Sequence, residues 1–173
     1  NKSSIIKDQK LQKNEFVLAT IHRQENTDEI SKLTAIFKAL EEIHHTQPVI
    51  LPLHPRTRIA LEKVDIQPKI NLIDPIGYYD MLELLKNCSM VITDSGGLQK
   101  EAFFTKKQCI VVRDETEWGE LVAHGYAKVV GSNTKKIIQT FDTFKARKKE
   151  FTIDLYGDNV GEKIYQSIYE LIH

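Results

Sequence analysis

The sequence predicts an α/β fold with a doubly wound parallel sheet. Short apolar segments alternate along the chain with stretches whose apolar residues recur at helical spacing. The apolar segments are hydrophobic throughout, which is typical of strands buried on both faces of a sheet. Strict alternation of strand and helix favours parallel strands with right-handed crossovers. Ligands of such sheets bind beyond the carboxyl ends of the strands.

The predicted elements follow a polar stretch, residues 1–14, which is interpreted as a linker or an orphaned helix end. Residues 15–173 form the predicted domain, with Thr27 as the N-cap of its first helix. Strands are predicted at 16–21, 48–53, 69–73, 90–93, 108–112 and 127–130. Helices are predicted from 27 to about 43, after Arg56 to about 64, at 80–87, after Gly97, at 117–124, at 133–149 and at 159–172.

The composition argues against several kinds of partner. Lys plus Arg and Asp plus Glu both number 24, so the formal net charge is zero. Nucleic-acid and anionic-membrane surfaces usually show a basic excess, so neither partner is expected. No apolar run is long enough to span a bilayer, and residues 1–4 show no signal-peptide pattern. The chain begins without Met, which suggests a processed product or an excised piece.

The two cysteines, Cys88 and Cys109, are far apart in sequence. No Cys-x-x-Cys pair or neighbouring histidine cluster accompanies them, so neither a disulfide framework nor a zinc site is indicated. They are interpreted as buried, reduced thiols of a cytoplasmic protein.

The most informative stretch runs from residue 91 to 101, where an apolar strand reaches Asp94, Ser95, Gly96 and Gly97 and a helix-forming segment follows. The free N–H groups and dipole at such a helix N-terminus can hold a phosphate, and glycine lets a ligand approach the backbone. Ser and Asp are equally ordinary N-caps, and Gly-Gly is an ordinary turn. Glu101 lies four residues after Gly97 on the same helix face, where it could accept hydrogen bonds from ribose hydroxyls.

Other polar residues follow other predicted strands: His22, His54 and Arg113. Each has an alternative structural interpretation, because either histidine could cap a strand or turn, and Arg113 with Glu117 could be a surface ion pair. Their convergence on one rim of the sheet favours a functional site. The dinucleotide and P-loop fingerprints, Gly-x-Gly-x-x-Gly and Gly-x-x-x-x-Gly-Lys-Ser/Thr, are absent from the sequence.

The order and spacing of several motifs resemble those of the non-hydrolysing UDP-N-acetylglucosamine 2-epimerases, over nearly the whole chain from Glu15. The motifs are Thr20-Ile21-His22-Arg23-Gln24-Glu25-Asn26, Pro52-Leu53-His54-Pro55, Ile73-Asp74-Pro75, Thr93-Asp94-Ser95-Gly96-Gly97-Leu98-Gln99-Lys100-Glu101-Ala102, Arg113-Asp114-Glu115-Thr116-Glu117 and Tyr156-Gly157-Asp158. Members of this family have two Rossmann-like lobes in a glycosyltransferase-B arrangement. The chain resembles the C-terminal, UDP-binding lobe, so residues 1–14 would be the interdomain linker or the end of a missing N-terminal lobe.

The resemblance implies a role for each candidate residue. His22 would approach the diphosphate and leaving group as the catalytic residue of this lobe, and Asp94 would be a structural cap. The residues implied to bind substrate are His54 in the same cleft, Ile76 and Met81 beside the uracil, Ser95, Gly96 and Gly97 at the phosphates, Glu101 at the ribose, and Arg113, Glu117 and Trp118. The family reaction eliminates UDP to a 2-acetamidoglucal and adds it back, without a metal or other cofactor. A homodimer and a place in cell-surface polysaccharide biosynthesis are also implied.

The chain departs from the family pattern at Trp118, where an Arg that contacts the nucleotide is common, and at Asn159, where Gly often follows Tyr-Gly-Asp. The sequence of residues 114–118 resembles that found in the family branch that acts on UDP-2,3-diacetamido-2,3-dideoxyglucuronate. The acids that transfer the C2 proton lie in the other lobe, so this chain alone is expected to bind nucleotide weakly and not to epimerise. Two alternatives remain: the donor lobe of a UDP-dependent glycosyltransferase, and a non-catalytic module that senses UDP-sugars.

Overall fold

The fold alternates strands and helices, as the computed structural model shows for residues 3–172. The strands are β1 (Val17–Thr20), β2 (Val49–Pro52), β3 (Asn71–Ile73), β4 (Met90–Thr93), β5 (Cys109–Val111) and β6 (Ala127–Val129). The helices are α1 (Ile5–Asp8), α2 (Gln24–Thr27), α3 (Ile30–Thr46), α4 (Pro55–Lys63), α5 (Tyr78–Asn87), α6 (Gly96–Phe104), α7 (Gly119–Ala123), α8 (Thr134–Ala146) and α9 (Val160–Ile172).

The six strands form one parallel sheet in the order β3-β2-β1-β4-β5-β6. The strand order reverses between β1 and β4, because β1 is followed in sequence by β2 on one side while β4 lies on its other side. Loops leave the sheet in opposite directions at such a switch point and open a crevice at the carboxyl ends of the strands. The predicted doubly wound, Rossmann-like architecture is confirmed.

Both faces of the sheet are buried, as the unbroken apolar strands predicted. Successive side chains of a strand point to opposite faces, so Val17 and Ala19 pack in one core cluster and Leu18 in the other. The first cluster includes the apolar stripe of α3, with Leu33 and Phe37 almost fully buried. The second lies beneath α5 and α6. Its burial fixes α6 against β4 and β5, and so fixes the position of the helix N-terminus.

The helix after β1 differs from the prediction. Thr27 was predicted as an N-cap, but it is the last residue of the short helix α2, and α3 begins at Ile30 after Glu29. The cause is a tertiary contact, because the buried Asn26 donates hydrogen bonds to Asp94 and to the Val112 carbonyl. These hydrogen bonds hold the chain in the single turn of α2, so α3 begins only at Ile30.

Helix α8 also differs at its end. It begins at Thr134 after the N-cap Asn133, whose side chain accepts from the Lys136 amide, and it ends at Ala146 rather than at the predicted residue 149. The Lys149 amide donates to the side chain of Gln108 instead of continuing the helix. The last helix, predicted at 159–172, is found at Val160–Ile172, and its position is therefore close to the prediction.

Residues 3–14 pack on the domain. Ile5 in α1 is buried in the second core cluster, where Ile6 and Leu11 contact it, and the Asn14 amide donates to the Asn87 carbonyl. Whether 1–14 is the connection to another lobe stays a prediction. Residues 1 and 2 of that stretch, and residue 173 at the end of the predicted domain, lie outside the described residues.

The predicted burial of both thiols is confirmed, since Cys88 and Cys109 are free and buried. Burial raises the pKa of each thiol, to about 12 for Cys88. Within residues 3–172, no helix is both long and apolar enough to cross a bilayer.

Candidate functional site

A cavity of about 340 Å³ opens at the carboxyl ends of β1, β2 and β4, at the switch point of the sheet. Apolar and polar side chains line it together, which is typical of sites for organic ligands. The lining residues are Thr20, Ile21, His22, Pro52, His54, Pro75, Ile76, Met81, Ser95, Gly97, Leu98 and Glu101.

The structure separates the sequence-predicted site residues into two groups. Those that line the cavity are His22, His54, Ile76, Met81, Ser95, Gly97 and Glu101. Those that do not line it are Gly96, Arg113, Glu117 and Trp118, which form a layer behind the first turn of α6.

Asp94 holds the loop after β1 onto the end of β4. Its fully buried carboxylate accepts from the amides of His22 at 3.0 Å and Arg23 at 2.9 Å, and from the Asn26 side chain at 3.1 Å. These bonds satisfy a buried charge that would otherwise be costly. The sequence interpretation of Asp94 as a structural cap therefore needs one change, because Asp94 caps the neighbouring loop while Ser95 is the N-cap of α6.

His22 belongs to this loop and lines the cavity. Partial burial is the main cause that lowers the pKa of the His22 imidazole, the nearby Asp94 carboxylate opposes it, and His54 and Arg23 lower it further. The His22 Nδ1 atom is 3.6 Å from Asp94 Oδ1, and its ring centroid is 5.4 Å from that of His54. A neutral imidazole at physiological pH can accept a proton or donate its one N–H.

His54 is the N-cap of α4, where its Nδ1 accepts from the Arg56 amide at 3.2 Å. An accepting Nδ1 carries no hydrogen, so the neutral ring holds its proton on Nε2. His54 can thus offer one N–H to a ligand in the cavity.

The two glycines at the start of α6 have different surroundings. A Cβ at Gly96 would lie 3.0 Å from Glu117 Oε2, whereas a Cβ at Gly97 would meet nothing within 4 Å. A side chain at Gly96 would therefore displace the Glu117 carboxylate. Gly97 lines the cavity, beside amides that lack intrahelical partners and the positive end of the α6 dipole. This arrangement can hold an anion.

Arg113 connects α2 to the loop after β5, behind the cavity. Its side chain is only 10% exposed and binds Glu25 and Glu117, each at 2.8 Å. The hydrogen bond from Arg113 is the main cause that lowers the pKa of Glu117. The sequence left a simple Arg113–Glu117 surface pair open, and the structure adds Glu25 in α2 as a third member.

Trp118 closes this layer. Its indole Nε1 donates to the Gly96 carbonyl at 2.8 Å, and the Lys100 ammonium lies 4.5 Å from the centre of its ring. Tyr156 contacts the same ammonium from another side, at 4.1 Å. Sequence reasoning did not single out Lys100. Its contact with Trp118 forms only because the loop after β5 folds back on α6.

Sequence reasoning also missed the polar pairs beneath the cavity. Thr20 and Thr93 share a buried hydroxyl hydrogen bond of 2.6 Å between β1 and β4, and the Ser95 amide donates to Thr93. Thr93 ends a predicted strand and Thr20 is the second-last residue of another, which is the signal that could have found them. Within residues 3–172, no group of three or more His, Cys, Asp or Glu residues is placed to hold a metal ion.

Comparison with known proteins gives a consistent assignment. The family model described as UDP-N-acetylglucosamine 2-epimerase matches residues 1–169. The chain is 46% identical over 143 residues to the UDP-2,3-diacetamido-2,3-dideoxy-D-glucuronate 2-epimerase of Pseudomonas aeruginosa. That match covers 82% of this chain and 40% of the Pseudomonas protein. It is 38% identical over 173 residues to a UDP-N-acetylglucosamine 2-epimerase homolog of Methanococcus maripaludis, covering 96% and 48% respectively.

Among solved structures, the UDP-GlcNAc 2-epimerase of Methanocaldococcus jannaschii in complex with UDP-GlcNAc and UDP matches with a TM-score of 0.82 and 31% identity. That match covers 98% of this chain and 49% of the other. The chain therefore spans about half the length of the relatives it matches, and it corresponds to the C-terminal lobe of their glycosyltransferase-B arrangement. On these grounds the chain belongs to the UDP-N-acetylglucosamine 2-epimerase family.

Proposed function

We propose that the chain is the nucleotide-binding lobe of a 2-epimerase that acts on UDP-N-acetylglucosamine or a related UDP-2-acetamido sugar. The observation that carries the proposal is the cavity at the switch point, which joins the N-terminus of α6 to a carboxylate and an apolar wall. An anion, a diol and a flat apolar ring would fit these three parts in turn. Phosphate, ribose and uracil are the matching parts of UDP.

The diphosphate would lie at Ser95 and Gly97, where first-turn amides and the helix dipole favour negative charge. Glu101 would accept hydrogen bonds from the ribose hydroxyls, since it lines the same cavity one helical turn further on. Ile76 and Met81 would form the apolar wall beside the uracil. Gly96, Arg113, Glu117 and Trp118 would act from behind this surface rather than by touching the nucleotide.

The reaction would remove the C2 proton of the sugar and break the bond from C1 to UDP, giving a 2-acetamidoglucal and free UDP. Addition of UDP to C1 and of a proton to the opposite face of C2 then gives the epimer, so the atoms balance. In this chain, His22 would donate its N–H to the departing diphosphate as its negative charge grows. The proton transfers at C2 would belong to acidic residues outside this chain.

The other half of the protein would pack on α9. No residue of this helix is buried, although one of its faces is strongly apolar. Exposed large apolar residues include Val160, Ile164, Tyr165, Ile168, Leu171 and Ile172. A large exposed apolar stripe commonly marks an interface, and about half of each relative lies outside the matched region.

Assembly of the complete protein as a homodimer, a cytoplasmic location and a role in cell-surface polysaccharide synthesis are further proposals from the resemblance.

Gly97→Asp tests the nucleotide site. The substitution meets no neighbouring atom and places a carboxylate where the diphosphate would lie, so we expect UDP affinity to fall at least about tenfold through charge repulsion. The thermal midpoint should hold or rise, because an acidic residue in the first turn of a helix is favourable. Isothermal titration calorimetry with UDP measures the affinity.

Gly161→Asp is the matched control, since Gly161 also has nothing within 4 Å of its Cβ position and lies in α9, outside the cavity lining. It should bind UDP like the unaltered chain. Equal UDP affinity in the Gly97→Asp and Gly161→Asp variants would count against the site.

A further inference from the structure

We propose that Trp118 is a positioning residue: its indole N–H fixes the peptide group between Gly96 and Gly97, so that the Gly97 amide is aimed at the bound diphosphate. The inference rests on the proposed UDP site. Trp118 does not line the cavity, so any effect it has on a ligand there must pass through the groups it holds.

The geometry of the peptide group carries the argument. Trp118 Nε1 donates to the Gly96 carbonyl oxygen at 2.8 Å. That carbonyl and the Gly97 N–H are the two ends of a single planar unit, because the peptide bond does not rotate freely. In the first turn of a helix the N–H end points toward the N-terminus, where Gly97 lines the cavity. Holding the carbonyl therefore fixes the direction of the amide.

The hydrogen bond also changes the strength of the amide as a donor. A carbonyl that accepts a hydrogen bond becomes more polarised, and the N–H of the same unit becomes a better donor. Glycine pairs are flexible, since neither residue has a Cβ to restrict its backbone. A side chain that restrains the peptide between two glycines removes part of the entropy that a bound anion would otherwise have to overcome.

The indole itself is held from three directions. The Lys100 ammonium lies over its ring at 4.5 Å, and Tyr156 meets it edge-on with ring centres 6.1 Å apart. The backbone amide of Trp118 donates to the Thr116 hydroxyl, and this hydroxyl donates to the side chain of the fully buried Gln99 at 2.6 Å. A side chain restrained in this way can hold the carbonyl without a further ordering cost.

The sequence contains a single tryptophan, so a tryptophan analogue can remove the indole N–H of Trp118 and alter no other residue. Production in a tryptophan auxotroph supplied with β-(benzo[b]thiophen-3-yl)alanine replaces the Nε1–H of Trp118 by sulfur and keeps the bicyclic ring. The measurements are the ¹⁵N shift of the Gly97 amide without ligand and the affinity for UDP by calorimetry. Trp118→Phe provides a second variant that lacks the donor.

We expect the Gly97 amide to shift and UDP affinity to fall by about three- to tenfold, as for the loss of one hydrogen bond. The control is Tyr126→Phe, which removes a buried hydroxyl that has no hydrogen-bond partner among residues 3–172. This control should leave both measurements unchanged.

The possible failures are distinguishable. Absence of UDP binding by the unaltered chain would overturn the proposed function and this inference with it. Normal UDP binding by the unaltered chain, the sulfur analogue and the Trp118→Phe variant alike would overturn the positioning role alone. A loss of affinity accompanied by an unmoved Gly97 amide would also overturn it, since the effect would then not pass through the peptide group.

Discussion

At the residue scale, Asp94 shows how one side chain can organise a cavity that it does not line. It is fully buried, and its carboxylate accepts hydrogen bonds from two amides and one side-chain amide of the loop after β1. This arrangement places His22 at the mouth of the cavity. The sequence motif contains Asp94, but its partners lie about seventy residues earlier, so only the folded chain shows what it binds.

Asp94→Asn should lower the free energy of unfolding by about 2–3 kcal/mol, because one carboxylate oxygen becomes an amide nitrogen facing other donors. Urea unfolding followed by circular dichroism measures this. Asp74→Asn is the control, since Asp74 is 94% exposed and forms only a surface pair with Arg58. That control should change stability by less than about 1 kcal/mol. Equal effects of the two substitutions would contradict the role given to Asp94.

His22 should make stability depend on pH. Its pKa is lowered in the folded chain by burial, so the unfolded chain binds more protons than the folded one below the ordinary value of 6.5. The free energy of unfolding should therefore fall relative to that of His22→Gln as the pH drops through this window. Paired urea titrations between about pH 5 and 7 measure the difference. Parallel curves, or a relative gain at low pH, would show that the His22 pKa is not lowered.

At the element scale, the start of α6 separates what protein packing needs from what a ligand needs. Gly96 faces Glu117 at close range, while Gly97 faces open space. Gly97→Ala should therefore raise the free energy of unfolding by about 0.5–1 kcal/mol, because alanine favours a helix over glycine. The same substitution should weaken UDP binding.

Gly96→Ala is the informative contrast. Its Cβ would push the Glu117 carboxylate away and disturb the pair with Arg113, so it should lack the gain in stability shown by Gly97→Ala. Thermal unfolding of both variants compares them. A Gly96→Ala variant at least as stable as Gly97→Ala would contradict the packing described for α6.

The elements show where sequence reasoning succeeds and where it fails. Unbroken apolar segments predicted the strands, and polar residues at their ends predicted the rim at which His22, His54 and Ser95 meet. The short helix α2 was missed because it depends on hydrogen bonds from Asn26 to distant parts of the chain. Trp118 was assigned to substrate binding, and its contact with Gly96 depends on a loop path that no local pattern encodes.

At the scale of the whole molecule, residues 3–172 form a six-stranded sheet with a core cluster on each face, but one of their helices, α9, has no buried residue. Ile168→Lys should leave the stability of the 173-residue chain unchanged, because Ile168 is 51% exposed. In the complete protein it should lower the thermal midpoint if α9 packs on the other half. Gln166→Lys, which replaces an exposed polar residue of α9, is the control. Unfolding of the isolated chain by Ile168→Lys would show that α9 packs on this domain instead.

The UDP site is best tested by a titration of the ¹⁵N-labelled chain with UDP, followed by amide chemical shifts. We expect the largest changes at His22 and across residues 95–101, with smaller ones at Ile76 and Met81. Amides of α8 and α9, outside the cavity lining, should stay still. Unmoved amides at His22 and residues 95–101 at millimolar UDP, or changes confined to another surface, would contradict a UDP site in this cavity.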